Sequence, residues 1–300
     1  MHDALFYEGA DEYVDALRSF AREGLAACEP TLFAVPQANL VLLRSALSEF
    51  DGSVEYVDMR EQGRNPARIL PLIHGFIQKN ADRPVRFVNE PIWAGRSIPE
   101  IVEGHRHEAL INAAFAEAPA RILCPYDVRG LAADVIDAAR RTHPAMLVGG
   151  ERHTCKGYVD PLVVYDAEDS PLCEPPSEPL LVPFVDGLGS FRRTLRFEAT
   201  AAGMTEERIA TFVIAANEAA ANTICHAEGD GIARLWREDH TLVCELADSG
   251  RIVDPFVGRT APPPDGTRGR GLWLMNQMCD LVELRSGSEG TVVRIHMHLA

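Results

Sequence analysis

Apolar and polar positions follow two different orders along the chain. In the first half, residues 13–25 place Val14, Leu17, Phe20 and Leu25 near one helical face. Thr31–Val35, Val54–Asp58, Val85–Asn89 and residues 121–125 are short apolar runs bounded by turn residues, as buried strands are. Helical patterns fill the gaps over 40–50, 67–80, 98–118 and 131–142. Alternating strands and helices predict a mostly parallel sheet covered by helices, with ligands at the carboxyl ends of its strands. In the second half, a helix over 205–224 carries Ile209, Phe212, Val213, Ala216 and Ala220 as its core stripe, with Thr205 as its cap. A hairpin follows (232–237 and 242–247), then a Pro-rich loop with Pro262 to Pro264, a helix to Cys279, and two last strands (281–285 and 291–299). That order predicts helices on an antiparallel sheet.

Punctuation divides the halves. Six prolines fall between Pro161 and Pro183, including Pro171-Leu-Cys-Glu-Pro-Pro-Ser-Glu-Pro179. Proline fixes φ and removes a donor, so this stretch is expected to exclude both helix and sheet. The predicted division is 1–165, a linker over 166–177, and 178–300.

At 300 residues the chain is long enough for two domains, and 46% hydrophobic with 24% charged is a globular composition. Its net charge of −15 (29 basic, 44 acidic) comes with no basic run, which argues against a broad grip on nucleic acid. No apolar run reaches the ~18–20 residues of a membrane span, and the first thirty residues are acidic. Seven scattered cysteines without a CxxC pair suit a reducing cytoplasm. The expectation is a cytoplasmic protein with no membrane segment. No GxxxxGK[ST] loop is present, so an ordinary P-loop is not expected.

Candidate chemistry gathers in the second half. Glu218, Asn222 and His226 are spaced i, i+4, i+8 and share a helix face turned from the core stripe. A carboxylate and an amide there can orient a hydroxyl and ligate Mg²⁺, or simply form a solvated polar face. Asp248-Ser-Gly250 ends a strand, and Gly269-Arg-Gly271 precedes a helix whose N-terminal amides can hold phosphate. In this order, the pieces resemble the nucleotide-binding fold shared by gyrase, Hsp90, histidine kinases and MutL. Asn217-Glu-Ala-Ala-Ala-Asn222 is similar to its N box, Asp248-Ser-Gly250 to its G1 box, and Gly269-Arg-Gly-Leu-Trp-Leu274 to its G2 box. Thr291 after Gly290 matches a late Gly-Thr that helps hold adenine. The glutamate after Asn217 points to the anti-sigma-factor serine-kinase branch. The resemblance implies an α+β sandwich of the Bergerat (GHKL) type using ATP and Mg²⁺. It implies Glu218 as general base toward a partner's serine, Asn222 as Mg²⁺ ligand and Asp248 as acceptor of the adenine amino hydrogen. Gly250, Gly269 and Gly271 would shape the pocket and phosphate lid. One departure stands out: the family's second G1 glycine is replaced by Ile252.

The first half resembles the MEDS sensory domain of methanogen and methylotroph regulators. The matching residues are Leu5-Phe-Tyr7, Glu90-Pro-Ile-Trp93, Arg106-His-Glu-Ala-Leu110, Leu123-Cys-Pro-Tyr-Asp127 and Thr142-His-Pro144. That resemblance implies a RecA-like α/β fold that senses a small molecule. The strand-end crevice of the parallel sheet makes Glu90, Trp93 and Tyr126 candidate contacts; structural packing explains Trp93 and Tyr126 at least as well.

The two resemblances together imply an anti-sigma regulatory factor that phosphorylates a STAS-type anti-anti-sigma protein and holds a sigma factor, under control of a sensor. They leave a homodimer open. The competing readings are a non-catalytic nucleotide-binding anti-sigma module, which Ile252 favours, and a sensor histidine kinase using His107. His296 and His298 share a strand face, but without a third ligand in view they read as strand surface rather than a metal site.

Overall fold

The structure, a computed structural model, describes residues 1–176, 178–185, 187–226, 231–262 and 270–299. The chain divides into two compact units, Met1–Glu168 and Asp169–Ala300.

In the first unit the elements run β1 (His2–Tyr7), α1 (Ala10–Ala26), β2 (Thr31–Val35), α2 (Gln37–Ala46), β3 (Val54–Asp58), α3 (Met59–Gln62), α4 (Ile69–Lys79), β4 (Val85–Asn89), α5 (Ile98–Ala114), β5 (Ala120–Asp127), α6 (Ala133–Thr142), β6 (Ala145–Val148), β7 (Glu151–Thr154) and α7 (Pro161–Ala167). The seven strands form one sheet in the order β3-β2-β4-β5-β1-β6-β7, parallel throughout except for the β6–β7 hairpin. That hairpin turns at Gly149 and Gly150, both at positive φ, as a tight two-residue turn requires. This is the mostly parallel α/β layout that the alternation predicted.

β1 lies in the middle of the sheet, between β5 and β6, and all six of its residues are buried. His2 and Asp3 disguise it in the sequence, because two polar residues at its start interrupt the apolar run. α5 is the other departure from pattern. It starts at a Ser97–Glu100 capping box, then buries every residue from Glu103 to Ile111, charged ones included. Arg106 is stacked on the Tyr165 ring at 4.0 Å.

The second unit contains β8 (Leu180–Pro183), α8 (Leu188–Ala201), α9 (Glu206–His226), β9 (Ile232–Glu238), β10 (Thr241–Asp248), α10 (Arg270–Met278), β11 (Leu281–Gly287) and β12 (Gly290–His298). Its sheet is antiparallel, in the order β11-β12-β10-β9-β8. One face packs Leu235, Cys244, Leu246 and Ile295 against Phe191, Leu195, Phe212, Ala216 and Met275 of the helices. The opposite face is charged. Glu245 accepts from Arg234 Nε at 2.7 Å and from Arg294 Nε at 2.8 Å, and Arg294 lies over the Trp236 ring. The segment before β8 lies on that face: Cys173 O accepts from Arg294 Nη2 at 2.7 Å and Glu174 from Arg234 Nη1 at 2.9 Å.

The prolines correct one expectation. Pro161 opens α7, where its missing N–H costs nothing, with Asp160 capping Leu162 N at 3.0 Å. Pro183 ends β8, an edge strand with no second neighbour to supply. The stretch excludes neither helix nor strand. Among the described residues, no helix is long and apolar enough to cross a membrane.

Candidate functional site

The site of the second unit is built on α9. Thr205 Oγ1 accepts from Arg208 N, and Ile209, Phe212, Val213, Ala216 and Ala220 are all buried. Ala215 and Ala219 are buried as well, because α9 packs on α8 and α10 in addition to the sheet. Glu218 and Asn222 remain half-buried on the edge facing the start of α10. A Cβ added at Gly271 would sit 3.1 Å from Glu218 Oε2 and 3.1 Å from Asn222 Nδ2. Glycine there lets the α10 backbone approach both polar side chains.

Asp248 ends β10 with both carboxylate oxygens held. Oδ1 accepts from Gly250 N at 2.8 Å, and Oδ2 accepts from Thr223 Oγ1 at 2.9 Å. A directed chain of hydrogen bonds then ties the following loop to β11 and β12. Ile252 N donates to Ser286 Oγ (2.7 Å), Ser286 Oγ lies 2.7 Å from Thr291 Oγ1, and Thr291 donates to Gly250 O (2.8 Å). Since the Thr291 proton goes to Gly250, Ser286 donates to Thr291. Gly290 has φ +118°, and a Cβ there would lie 2.1 Å from Asp248 O, so only glycine fits.

These residues enclose a cavity of about 300 Å³. Ala219, Leu246, Ile252, Val257, Leu272 and Val293 supply apolar walls, and Asn222, Thr223, Asp248 and Thr291 the polar points. Such a lining suits a flat, largely apolar ring with a few polar edges. Ile252 contributes its side chain to the wall without adopting a left-handed φ. The site thus brings together Glu218, Asn222, Asp248, Gly250, Gly271 and Thr291 from four elements and one loop. Gly269, with Pro263, Pro264 and Arg268, lies outside the described residues. Sequence reasoning missed Thr223 and Ser286. Thr223 directly follows Asn222 on the helix, and Ser286 is cross-strand from Thr291, so each was one geometric step from a motif residue.

Residues 1–144 match the family model described as MEDS, MEthanogen/methylotroph, DcmR Sensory domain. Residues 185–297 match that of the histidine kinase-like ATPase domain. The chain joins a MEDS domain to a histidine kinase-like ATPase domain. No curated protein matches the chain. Among solved structures, that of the RsbU and RsbW domains of Rv1364c from Mycobacterium tuberculosis is similar over 70% of this chain and 50% of that one, at 14% identity and a TM-score of 0.31. The match therefore spans half the length of that protein chain, and at this score it says nothing about domain arrangement or activity.

In the MEDS domain the three candidate contacts do not converge on one set of partners. Glu90, just after β4, is buried and accepts from Tyr13 Oη at 2.9 Å and from Asn39 Nδ2 at 2.8 Å. Burial pushes its carboxyl up to about 7, against the pull of those two donors. Trp93 lies under the Arg96 guanidinium at 3.8 Å, and Arg96 in turn donates to Gly63 O and Arg64 O. Tyr126 is buried on β5, its ring edge-on to His143 at 5.6 Å and tilted against Phe6 at 5.8 Å. His107 is fully buried on α5, with Nε2 3.3 Å from Asn89 Nδ2. His296 meets Glu283 at 2.8 Å on the charged sheet face.

Proposed function

We propose that the ATPase domain binds ATP with Mg²⁺ and is a protein serine kinase of the anti-sigma type. Its partners are a STAS-type anti-anti-sigma protein as substrate and a sigma factor that it holds, in the cytoplasm. The MEDS domain biases that choice in response to a small molecule. The observation that carries the reading is the approach of Glu218 and Asn222 to Gly271 beside the cavity whose wall holds Asp248.

The residues present fit a nucleotide. The cavity is of the size and apolar character that hold a heterocycle. Asp248 is fixed by Thr223 and Gly250 N yet keeps lone pairs free to accept from an adenine amino group. Asn222 offers an amide oxygen of the kind Mg²⁺ takes. Bound ATP supplies a transferable phosphoryl group. Glu218 would accept the proton of the incoming serine hydroxyl on a carboxylate oxygen, a role worth ~10²–10⁴ in rate.

The test is incubation of the full chain with labelled ATP and a STAS-type partner. Acid-stable phosphoserine on the partner is expected. ATP binding with sigma-factor retention but no transfer would replace this reading with the non-catalytic module, which the isoleucine at position 252 favours. The histidine-kinase reading needs His107 to meet a phosphoryl group, and its complete burial opposes that.

A further inference from the structure

Four chemically reactive side chains meet inside the MEDS domain. They are His2 of β1, Glu108 of α5, Cys124 of β5 and His143 just after α6. Their ligand atoms all lie within 4.8 Å of one another, and all four residues are buried. Glu108 Oε2 is 2.9 Å from His2 Nε2 and 3.0 Å from His143 Nε2, while His2 Nε2 is 3.2 Å from Cys124 Sγ.

The outer contacts fix which ring nitrogens carry protons. His143 Nδ1 faces the Ala139 carbonyl at 2.8 Å, and a carbonyl accepts only, so Nδ1 bears the hydrogen. Asn112 donates its amide to Thr142 O at 2.6 Å, which turns its oxygen toward His2 Nδ1 at 3.2 Å. His2 Nδ1 therefore donates as well. In the neutral rings both Nε2 atoms then present lone pairs, and both point into the same carboxylate oxygen. Neither Glu108 Oε2 nor His143 Nε2 has a partner with hydrogen-bond alignment among the described residues. Lone pairs converging at about 3 Å in a buried site repel one another unless a proton or a metal cation lies among them; one proton bridges a single pair, whereas one metal ion meets every lone pair at once.

The rest of the surroundings match a coordination shell. The second carboxylate oxygen, Glu108 Oε1, accepts from Asn89 Nδ2 at 3.0 Å, and the same amide points at Cys124 Sγ at 3.6 Å. Ligating histidines commonly donate the other ring N–H to a carbonyl, and ligating carboxylates are themselves hydrogen-bonded. Two neutral imidazoles, one thiolate and one carboxylate carry a total charge of −2, which a divalent ion cancels inside the domain.

We infer that His2, Glu108, Cys124 and His143 form a closed four-ligand site for one divalent transition-metal ion of the zinc type. Nitrogen and sulfur donors disfavour Mg²⁺ and Ca²⁺, and four protein ligands suit tetrahedral coordination. Ligand atoms around such an ion stand about 3.3–3.8 Å apart for ordinary bond lengths, so the Glu108–His2, Glu108–His143 and His2–Cys124 contacts need to open by only a few tenths of an ångström. Binding displaces the Cys124 thiol proton to solvent and leaves the thiolate on the metal. The ion would tie the central strand β1 to α5, β5 and the end of α6.

The test is elemental analysis of the full chain, purified without chelators from zinc-supplemented medium. One equivalent of zinc per chain is expected, falling at least tenfold in Cys124→Ser and in His143→Ala. Because either variant could fail to fold, the wild-type protein is also loaded with Co²⁺ after metal removal. Intense tetrahedral d–d absorption with a thiolate-to-cobalt band is expected at one equivalent. Folded wild-type protein that carries less than a tenth of an equivalent of metal and gains no such spectrum overturns the inference. So does a full equivalent retained by a folded Cys124→Ser, His143→Ala double variant.

Discussion

Thr223 Oγ1 donates to Asp248 Oδ2 at 2.9 Å, joining the helix that carries Glu218 and Asn222 to the end of strand β10. The bond orients the carboxylate proposed to read adenine. Its loss leaves Asp248 held on one side only. Thr223→Val should weaken ATP about 3–10-fold, and Asp248→Ala by roughly 10–100-fold, since an unpaired buried partner costs ~1–3 kcal/mol. Titration calorimetry with ATP and GTP measures both. Equal wild-type affinity for the two nucleotides would remove Asp248 from adenine recognition.

Glu218→Ala should abolish phosphotransfer to the partner while ATP affinity changes only a few-fold. The carboxylate stands beside Gly271 at the edge of the cavity and is not part of the apolar wall. A general base is worth ~10²–10⁴ in rate, so the loss should be visible in single-turnover assays. An unchanged rate would exclude Glu218 as the base.

Gly290→Ala should destabilise the ATPase domain and disturb the cavity wall together. The added methyl group would meet Asp248 O at 2.1 Å, and the φ of +118° is itself unfavourable for alanine. Strain of that kind costs of order 1–3 kcal/mol, with the clash in addition. Thermal melting with and without ATP should show a lower midpoint and a smaller nucleotide-induced rise.

Glu90 makes the MEDS domain sensitive to pH in a definite direction. Burial raises its folded-state pKa to about 7, above the ordinary carboxylate value of the unfolded chain. Its contribution is therefore fully present below the unfolded pKa and is lost as pH rises toward about 7. The size is roughly 3 kcal/mol for a shift of this order. Glu90→Gln removes the charge and keeps one acceptor oxygen, at the Oε2 position that Tyr13 and Asn39 both reach. Urea denaturation between pH 4.5 and 8 should show wild type losing stability relative to this variant as pH rises. Parallel curves would mean that Glu90 titrates alike in both states.

Sequence periodicity located most of what faces the core, because burial of a stripe or a strand leaves a repeating signal. Phe212, Val213 and Ala216 on α9 show it, and so do the strands Thr31–Val35 and Val85–Asn89. The same logic fails where polar groups are buried in pairs. α5 looks charged from residue 103 to 108 and is nevertheless interior, because Arg106 stacks on Tyr165 and Glu108 meets two histidines. The residues that line the cavity of the ATPase domain were legible through short motifs that lie close together in sequence. The tetrad of His2, Glu108, Cys124 and His143 has no local spacing, and only the sheet order brings its members together. Thr223 and Ser286 escaped notice because their roles depend on where a neighbouring element ends.

The central position of β1 has a consequence for how the protein is made. Both flanking strands, β5 and β6, lie more than a hundred residues downstream. At ribosomal speeds of about 5–20 residues per second, the segment Ala4–Tyr7 waits on the order of ten seconds or more for its neighbours to emerge. During that interval an apolar strand with two bare edges is available to any other nascent chain. Yield in a heterologous host should accordingly depend on chaperone supply and growth temperature more than on the stability of the finished fold.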